Sequence, residues 1–491
     1  MVKPTGRPPG RPRARPDSVD AEVVYPDVPE DSGDRPPPFV PEPTQAKIWD
    51  IIAEAQPGSL SIIGFGGAFG GGKLLNIMEP ILTTNGWATM GEIKTGDMVF
   101  SERGLPVRVI KAHDVCLPEK AYRLTFSDGS AIDAGGEHLW YTYNKNELAA
   151  LCRRSPGFRE RRRARRPSKA KGLRSPAFTA AVTARNKRLP TPTMPPPAGV
   201  VRSTQEIFET QRAGPQDRWA NHAIPVAMPL QFPDGDLLVD PYCLGVWLGD
   251  GTSSAGEITS MDVEVIEAFK EAGYRMGAAR GKKGNKSSTY GILGLRTDLK
   301  KLNVFGNKHI PESYIRASYE QRLALLQGLM DTDGTVARDS GSASFCNTNK
   351  AIVDGVQQLI VSLGWQVNVI EGRARLYGRD CGPKWTLKWM PSVPVFRLPR
   401  KRELQKVGTR PTNLFRYIAD CQPIEPMPMR CLTVDNPTGL FLVGRSLIPT
   451  HNTRALVELA LDLALQYPGN RIIIGRKDFK DLRDTVIPLF F

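Results

Sequence analysis

Four groups of residues in this 491-residue chain combine side-chain type and spacing in ways that could do covalent chemistry. The first is His451-Asn452-Thr453. An Asn side-chain amide can attack its own carbonyl carbon and cleave the following peptide bond as a succinimide. A neighbouring His can give the leaving amine its proton, and a hydroxyl just downstream can accept an acyl group. The second is Cys431, a thiol that attacks carbonyls as its thiolate. The third is a pair of similar stretches, Cys243 to Gly251 and Leu326 to Gly334, each a short apolar helix ending in Asp-Gly. Small residues on one face let two such helices approach closely. Their packing would set Asp250 beside Asp333, and paired carboxylates facing phosphate suit Mg2+-assisted phosphodiester hydrolysis. The fourth runs from Gly67 through Gly72 to Lys73 and fits the P-loop spacing G-x-x-x-x-G-K, whose backbone N–H groups wrap phosphates.

The elements around these residues show an interruption. A P-loop continues with Ser or Thr and a helix, but Lys73 is followed by Leu74 and by residues that read as strand and turn. The missing continuation begins at Thr453, where TRALVELALDLALQ has helical periodicity, and Arg471 to Ile474 reads as a buried strand. Joining Lys73 to Thr453 restores strand, P-loop, helix and strand in the order a phosphate-binding unit requires. Residues 74–452 therefore read as an insertion that must leave before Gly67, Gly72, Lys73 and Thr453 can bind ATP and Mg2+.

The insertion resembles an intein. Pro80 to Phe100, with its Gly96-Asp97 turn, is similar to the opening splicing block; GGEHLWYT, with His138, to the second; and MRCLTVDNPTGLFLVGRSLIPTHN to the closing blocks. The resemblance implies an all-β hedgehog–intein (Hint) horseshoe that brings both junctions together, and splicing without a cofactor. Leu74 has no nucleophile, so the usual first step cannot occur. Trp140, Cys431 and Thr450 match the Trp-Cys-Thr signature of class 3 inteins, which implies that Cys431 attacks the Lys73–Leu74 bond while His138 activates it. The acyl group would pass to Thr453, and Asn452 would cyclise with help from His451. Cys431 is expected to need a lowered pKa or a local base, and Trp140 and Thr450 to shape its pocket. Gly135 stands where the second block often has Thr, which implies weaker hydrogen bonding there. The plain alternative for an isolated strand Cys is a small buried hydrophobe.

The two Asp-Gly stretches, 83 residues apart, resemble the LAGLIDADG homing endonucleases. This implies αββαββα-like halves, a saddle-shaped sheet on the major groove of double-stranded DNA (the host gene lacking the insertion), a pseudo-symmetric monomer, and Mg2+ held by Asp250 and Asp333. Lys308 sits where the family often has a lysine near the active site; the alternative is a solvated surface lysine. Residues 151–190 hold 14 basic side chains against one acid, which suits salt-sensitive phosphate contact or a solvated linker.

The flanks resemble the N-terminal ATPase region of a phage terminase large subunit, through Pro43-Thr44-Gln45 and the P-loop. That implies a bacterial cytoplasmic setting, and a truncated host that needs the rest of the terminase. The net charge of +15 favours a nucleic-acid partner, seven Cys are too few for a disulfide framework, and no apolar run spans a membrane. The expected fold is mixed and multidomain: a Hint horseshoe split by an α+β endonuclease and flanked by pieces of an α/β P-loop ATPase. The expected divisions are a Pro-rich tail at 1–43, host at 44–73, horseshoe at 74–150, basic linker at 151–236, endonuclease at 237–412, horseshoe at 413–452, and host at 453–491. The competing reading is a P-loop ATPase carrying an insert inactive in splicing or cleavage.

Overall fold

The computed structural model describes residues 73–154, 199–214, 216, 218–281, 287–406 and 411–451. Gly67, Gly72, Asn452, Thr453 and the Arg161–Arg166 run lie outside the described residues, as do both host helices expected from the sequence.

The outer parts of the insertion form antiparallel sheets. One sheet has eight strands in the order Met429–Arg430, Leu75–Asn76, Ala131–Gly135, Ala121–Phe126, Phe415–Ile424, His222–Pro225, Leu139–Asn144 and Val200–Ser203. A second has five, in the order Leu432–Val434, Pro106–Ala112, Met98–Phe100, Pro80–Thr83 and Gly86–Thr89. The patterning follows the period of a half-buried strand: Tyr122, Leu124 and Phe126 are buried, while Arg123 is exposed and Thr125 half-buried. The Gly96-Asp97 turn forms as the sequence suggests. Gly96 has φ +97°, and the Asp97 carboxylate accepts from the Lys94 N–H at 2.7 Å before the chain enters Met98–Phe100.

The segment expected as a linker differs from that reading in its described part. Val200–Ser203 pairs with Leu139–Asn144, and His222–Pro225 inserts between Leu139–Asn144 and Phe415–Ile424. These strands are only four residues long, too short for a periodicity argument, and their partners lie far away in sequence.

The middle of the insertion is an α/β unit. Its second half runs helix Tyr319–Asp333, strands Gly334–Val336 and Ala343–Asn347, helix Lys350–Ser362, strands Asn368–Leu376 and Arg379–Trp389, and the short helix Pro399–Arg402. That is the αββαββα order. The first half is a reduced version from helix Pro241–Asp250 to helix Leu295–Lys301, in which some strand pairing shrinks to single bridges such as Gly251 with Ile258.

Two helices cross at the centre. Pro241–Asp250 is started by Pro241 and capped by the Asp240 carboxylate; Tyr319–Asp333 starts with a Ser318/Gln321 capping box. Their contact depends on glycine. A Cβ on Gly245 would lie 2.3 Å from the Leu325 carbonyl oxygen, and one on Gly328 would lie 2.2 Å from that of Tyr242. Backbone therefore meets backbone, and both helices end side by side at Asp250 and Asp333.

The α/β and all-β parts share one apolar cluster. Leu82, Phe100, Leu442 and Leu447 of the sheets join Leu244, Trp247 and Leu326 of the helices. Phe100 meets Phe232 edge-on at 5.2 Å. Arg322, fully buried on the second glycine helix, donates to the carbonyls of Ala317, Ser362 and Leu230, tying that helix to the chain that enters it from the sheets.

Gly328→Ala should lower stability by about 1–3 kcal/mol, because its methyl must push Tyr242 and Val246 backbone atoms apart. Urea denaturation of the purified chain measures this; an unchanged midpoint would mean that the helices are not in tight contact.

Candidate active sites

The upstream edge of the insertion is buried. Lys73 is 5% exposed and Leu74 4%. Leu75 pairs with Arg430 on one side and with Ala134 on the other, so Leu74 falls opposite Cys431 in register. Leu74 and Cys431 then share a small apolar cluster with Ala121 and Met429. The Gly135 N–H donates to the Leu74 carbonyl at 2.8 Å, so a backbone bond is made where the sequence suggested weakened hydrogen bonding. A Cβ on Gly135 would come 3.3 Å from Leu74 Cβ, so the absence of a side chain at 135 leaves room for the large residue at 74.

His138 sits in the turn between Ala131–Gly135 and Leu139–Asn144 and is buried. Its Nε2 hydrogen-bonds Thr450 Oγ1. Thr450 lies on the closing hairpin, where Ile448–His451 pairs with Leu440–Val443. Trp140 packs against the imidazole with centroids 4.8 Å apart and planes at 62°. The indole N–H of Trp140 donates to Thr204 Oγ1 at 2.9 Å, and the Thr204 N–H donates to the His138 carbonyl at 2.8 Å. Thr204 opens the helix Thr204–Glu209, fixed by a Ser203/Glu206 capping box. Thr204 was missed by sequence reasoning. Ser203-x-x-Glu206 was a legible helix start, but nothing local linked it to His138.

Burial dominates the electrostatics. The Cys431 thiol is pushed up to about 12, with Lys73 the largest opposing influence. Its Sγ donates to the Leu432 carbonyl at 3.4 Å. The sequence argument asked for a lowered thiol pKa or a local base; in this state desolvation raises the thiol, because a buried thiolate loses its water, which leaves the local base as the alternative. His138 is pushed down to about 3, again mainly by burial, while the nearby Lys73 backbone pulls the other way. Thiol and imidazole are both uncharged at neutral pH. His451 ends the closing hairpin next to Asn452, which is outside the described residues.

The second candidate site lies at the crossed helix ends. Burial, then the Asp333 charge, pushes Asp250 up to about 6; Lys401 and Lys308 oppose this. Burial also raises Asp333, against a hydrogen bond from Asn347 at 2.9 Å. Lys308 is not a solvated lysine. Its Nζ donates to the carbonyls of Leu248, Gly249 and Gly251 at 3.0, 3.3 and 2.7 Å, and burial lowers its pKa to about 8. Lys401 does the same for the second helix, bonding the carbonyls of Met330, Asp331, Thr332 and Gly334 at 2.7–3.2 Å. The sequence reading missed Lys401; its Arg-Lys-Arg surroundings look like any solvated basic run. Asp331, two residues before Asp333, serves another end: it accepts from the Tyr242 hydroxyl at 2.8 Å and from the N–H groups of Arg397 and Leu398.

Both lysines spend their N–H groups on helix-end carbonyls, and neither carboxylate has an ion pair among the described residues. The remaining negative charge suits a divalent cation. Two carboxylates, with phosphate and water completing the shell, fit Mg2+ better than a metal that needs an all-protein cage. No group of three or more His, Cys, Asp or Glu placed to hold a metal ion occurs among the described residues.

Residues 320–381 match the LAGLIDADG-like domain family, and the chain carries such a domain. The chain is 35% identical over 429 residues to a replicative DNA helicase DnaB of Mycobacterium intracellulare, a match covering 87% of this chain and 64% of the relative. It is 36% identical over 93 residues to a DnaB of Mycobacterium leprae (strain TN), covering 19% of this chain and 15% of that one. The chain thus spans less than two thirds of the curated relatives it matches. Among solved structures, the MchDnaB-1 intein is 14% identical over 77% of this chain and 99% of that chain, with a TM-score of 0.23. Mesophilic variants of the homing endonuclease I-DmoI are 16% identical over 31% and 88% of the two chains, with a TM-score of 0.22. The terminase resemblance of the flanks is not supported: the curated relatives are named as replicative helicases. No described helix is long and apolar enough to cross a membrane.

Mg2+ at ten- to a hundredfold over its Kd should stabilise the protein by about 1–3 kcal/mol at pH 8. The gain should fade below about pH 6, as Asp250 takes up a proton. Without metal the sign is opposite. The raised Asp250 pKa adds stability that is fully present below its unfolded value and is lost as pH rises through about 6. Thermal melts across pH with and without Mg2+ separate the two, and Mg2+ stabilisation undiminished at pH 5 would exclude Asp250 as a ligand.

Proposed function

We propose that residues 74–452 are a self-splicing intein that joins Lys73 to Thr453, and that its central domain cleaves double-stranded DNA at a specific site with Mg2+. The observation that carries the splicing reading is the register that sets Leu74, which has no nucleophile, opposite the Cys431 thiol, with His138 beside the Lys73 backbone.

In this reading Cys431 Sγ bonds to the Lys73 carbonyl carbon, the bond to the Leu74 nitrogen breaks, and the thiol proton ends on the Leu74 amine. His138, neutral and held by Thr450 and Trp140, is the group placed to carry that proton. The Lys73 acyl group then moves to the Thr453 hydroxyl. Asn452 cyclises with His451 at the leaving amine, and an O-to-N shift leaves an ordinary peptide bond. Uncharged resting groups support a junction that stays closed until attack and proton transfer occur together.

For the central domain, the carboxylate pair at the glycine crossing and the LAGLIDADG-like match support phosphodiester hydrolysis. Exposed Arg375, Arg379 and Lys388 on the long strand pair offer charge to a DNA backbone. Asp250 and Asp333 would hold Mg2+, and Lys308 and Lys401 would position the helix ends that carry them. The relatives suggest a DnaB-like helicase as host, whose P-loop is complete only after excision.

Expression with a tag on each end, followed by intact mass, tests splicing, and a cleavage assay on the uninterrupted host gene tests the nuclease. A ligated product lacking residues 74–452 is expected. Cys431→Ala should abolish both that product and cleavage after Lys73, and continued splicing would refute the role of Cys431. Asp250→Asn should reduce cutting of the uninterrupted host gene by at least ~100-fold while excision continues; loss of both would show that the two activities are not separable.

A further inference from the structure

The strands Asn368–Leu376 and Arg379–Trp389 run past the rest of their sheet. Ala343–Asn347 pairs with the second of them only as far as Trp385, which faces Glu371 on its other side. From Gly372 to Lys384 the two strands therefore form an arm of their own, reaching roughly 15 Å beyond that neighbour. Where the arm joins the sheet, one face packs on the core through Val369 and Leu387. The other face is open. By register it carries Asn368 with Lys388, Gly372 with Lys384 and, at the far end, Leu376 with Arg379.

The arm turns through Tyr377 and Gly378, at φ +50° and +79°. Left-handed backbone at both central residues is the tight hairpin turn that favours Asn-Gly. A bulky ring at the first of them costs backbone energy. Folding returns nothing for it, because Tyr377 is 100% exposed. Leu376, just before it, is 61% exposed. Positive charge surrounds this apolar tip. The one acid of the arm, Asp380, pairs with Arg373 at 2.8 Å. Arg375, Arg379 and Lys384 have no ion pair among the described residues.

We infer that Leu376 and Tyr377 form an apolar wedge that opens a base step of double-stranded DNA on one flank of the cleavage site, while Arg375, Arg379 and Lys384 hold the adjoining phosphates. The inference rests on the nuclease reading and goes beyond it, because it places a base contact and a local distortion of the DNA far from the Asp250/Asp333 pair. A strained and wholly exposed aromatic side chain is explained by a contact it makes outside its own fold. Unpaired cations on both strands of the arm say that the contact carries phosphate. A closed duplex offers a ring only base edges; a base face becomes available when the step opens. Apolar side chains between cationic neighbours unstack steps in this way, and the energy spent on unstacking is returned as contact.

The test uses the full chain with Cys431→Ala and Asp250→Asn, so that protein and DNA both stay uncut. Its probe is a duplex of the uninterrupted host gene, with 2-aminopurine placed at successive positions on each side of the insertion point. One flanking position should brighten when this parent binds and stay dark with Tyr377→Asn. Tyr377→Asn should weaken binding about tenfold or more, with the salt dependence unchanged. It should melt no lower than the parent, because Asn suits the turn. Tyr377→Phe should bind within about threefold of the parent, since the ring remains. Arg375→Gln with Arg379→Gln should instead reduce the slope of log affinity against log salt by about two. Binding by Tyr377→Asn as tight as the parent's, a Tyr377→Phe as weak as Tyr377→Asn, a loss of affinity matched by a lower melting point, or no brightening at any position would overturn the wedge. If the parent does not prefer the host-gene duplex to an unrelated one, the nuclease reading falls and takes the inference with it. A parent that prefers its target but is indifferent to Tyr377 defeats the inference alone.

Discussion

Everything at the upstream junction depends on one antiparallel pairing. Leu75 lies between Arg430 and Ala134, so a strand of two residues welds the start of the insertion to a segment more than three hundred residues later. A slip of one residue would turn Cys431 away from Leu74, because side chains alternate faces along a strand. So short a strand cannot hold its register alone. Arg430 supplies the pin: its guanidinium reaches the carbonyls of His113, Gly91 and Ile93, anchoring that segment to loops of the opening block. The Gly135 N–H on the Leu74 carbonyl holds the other side.

This pairing places reactive groups in a dry site, and dryness acts on thiol and imidazole in opposite directions. Burial raises Cys431 and lowers His138, so each takes its uncharged form for the same reason. Their proximity alone therefore gives no thiolate–imidazolium pair. At the second site the logic is inverted. There burial raises both Asp250 and Asp333, repulsion from Asp333 raises Asp250 further, and the nearby lysines are committed to helix-end carbonyls, so negative charge is left for a cation.

What the sequence made legible was local chemistry and repetition. Gly245, Gly328, Asp250 and Asp333 could be read because one pattern occurs twice, and the glycine contacts explain why those positions need glycine. The pairing of Leu74 with Cys431 was legible only through resemblance to the intein blocks, since no periodicity links residues so far apart. Thr204, Lys401 and the strands Val200–Ser203 and His222–Pro225 were not legible. Each acquires its role from a distant partner: the His138 carbonyl, the end of the second glycine helix, and the strand Phe415–Ile424. That burial raises the Cys431 thiol was not legible for a related reason, because burial is a property of the whole fold.

The shared core limits how independent the two units can be. Leu82, Phe100, Leu442 and Leu447 would lose apolar cover if the α/β unit were removed, and Phe232 and Leu230 would be left at a cut edge. Arg322 strengthens this coupling. Its buried guanidinium has no carboxylate partner among its bonds and is satisfied by the Ser362 hydroxyl and by the carbonyls of Ala317, Ser362 and Leu230, the last on the chain that connects the sheets to the helices. Separating the units would strand part of that charge, and an unpaired buried cation costs several kcal/mol. The two activities can be chemically separate, with their reactive groups on different elements, and still share folding free energy. A change that loosens the glycine crossing acts first on the carboxylates at its ends, but through Arg322 and Leu230 it also reaches the sheets that hold the splice junction.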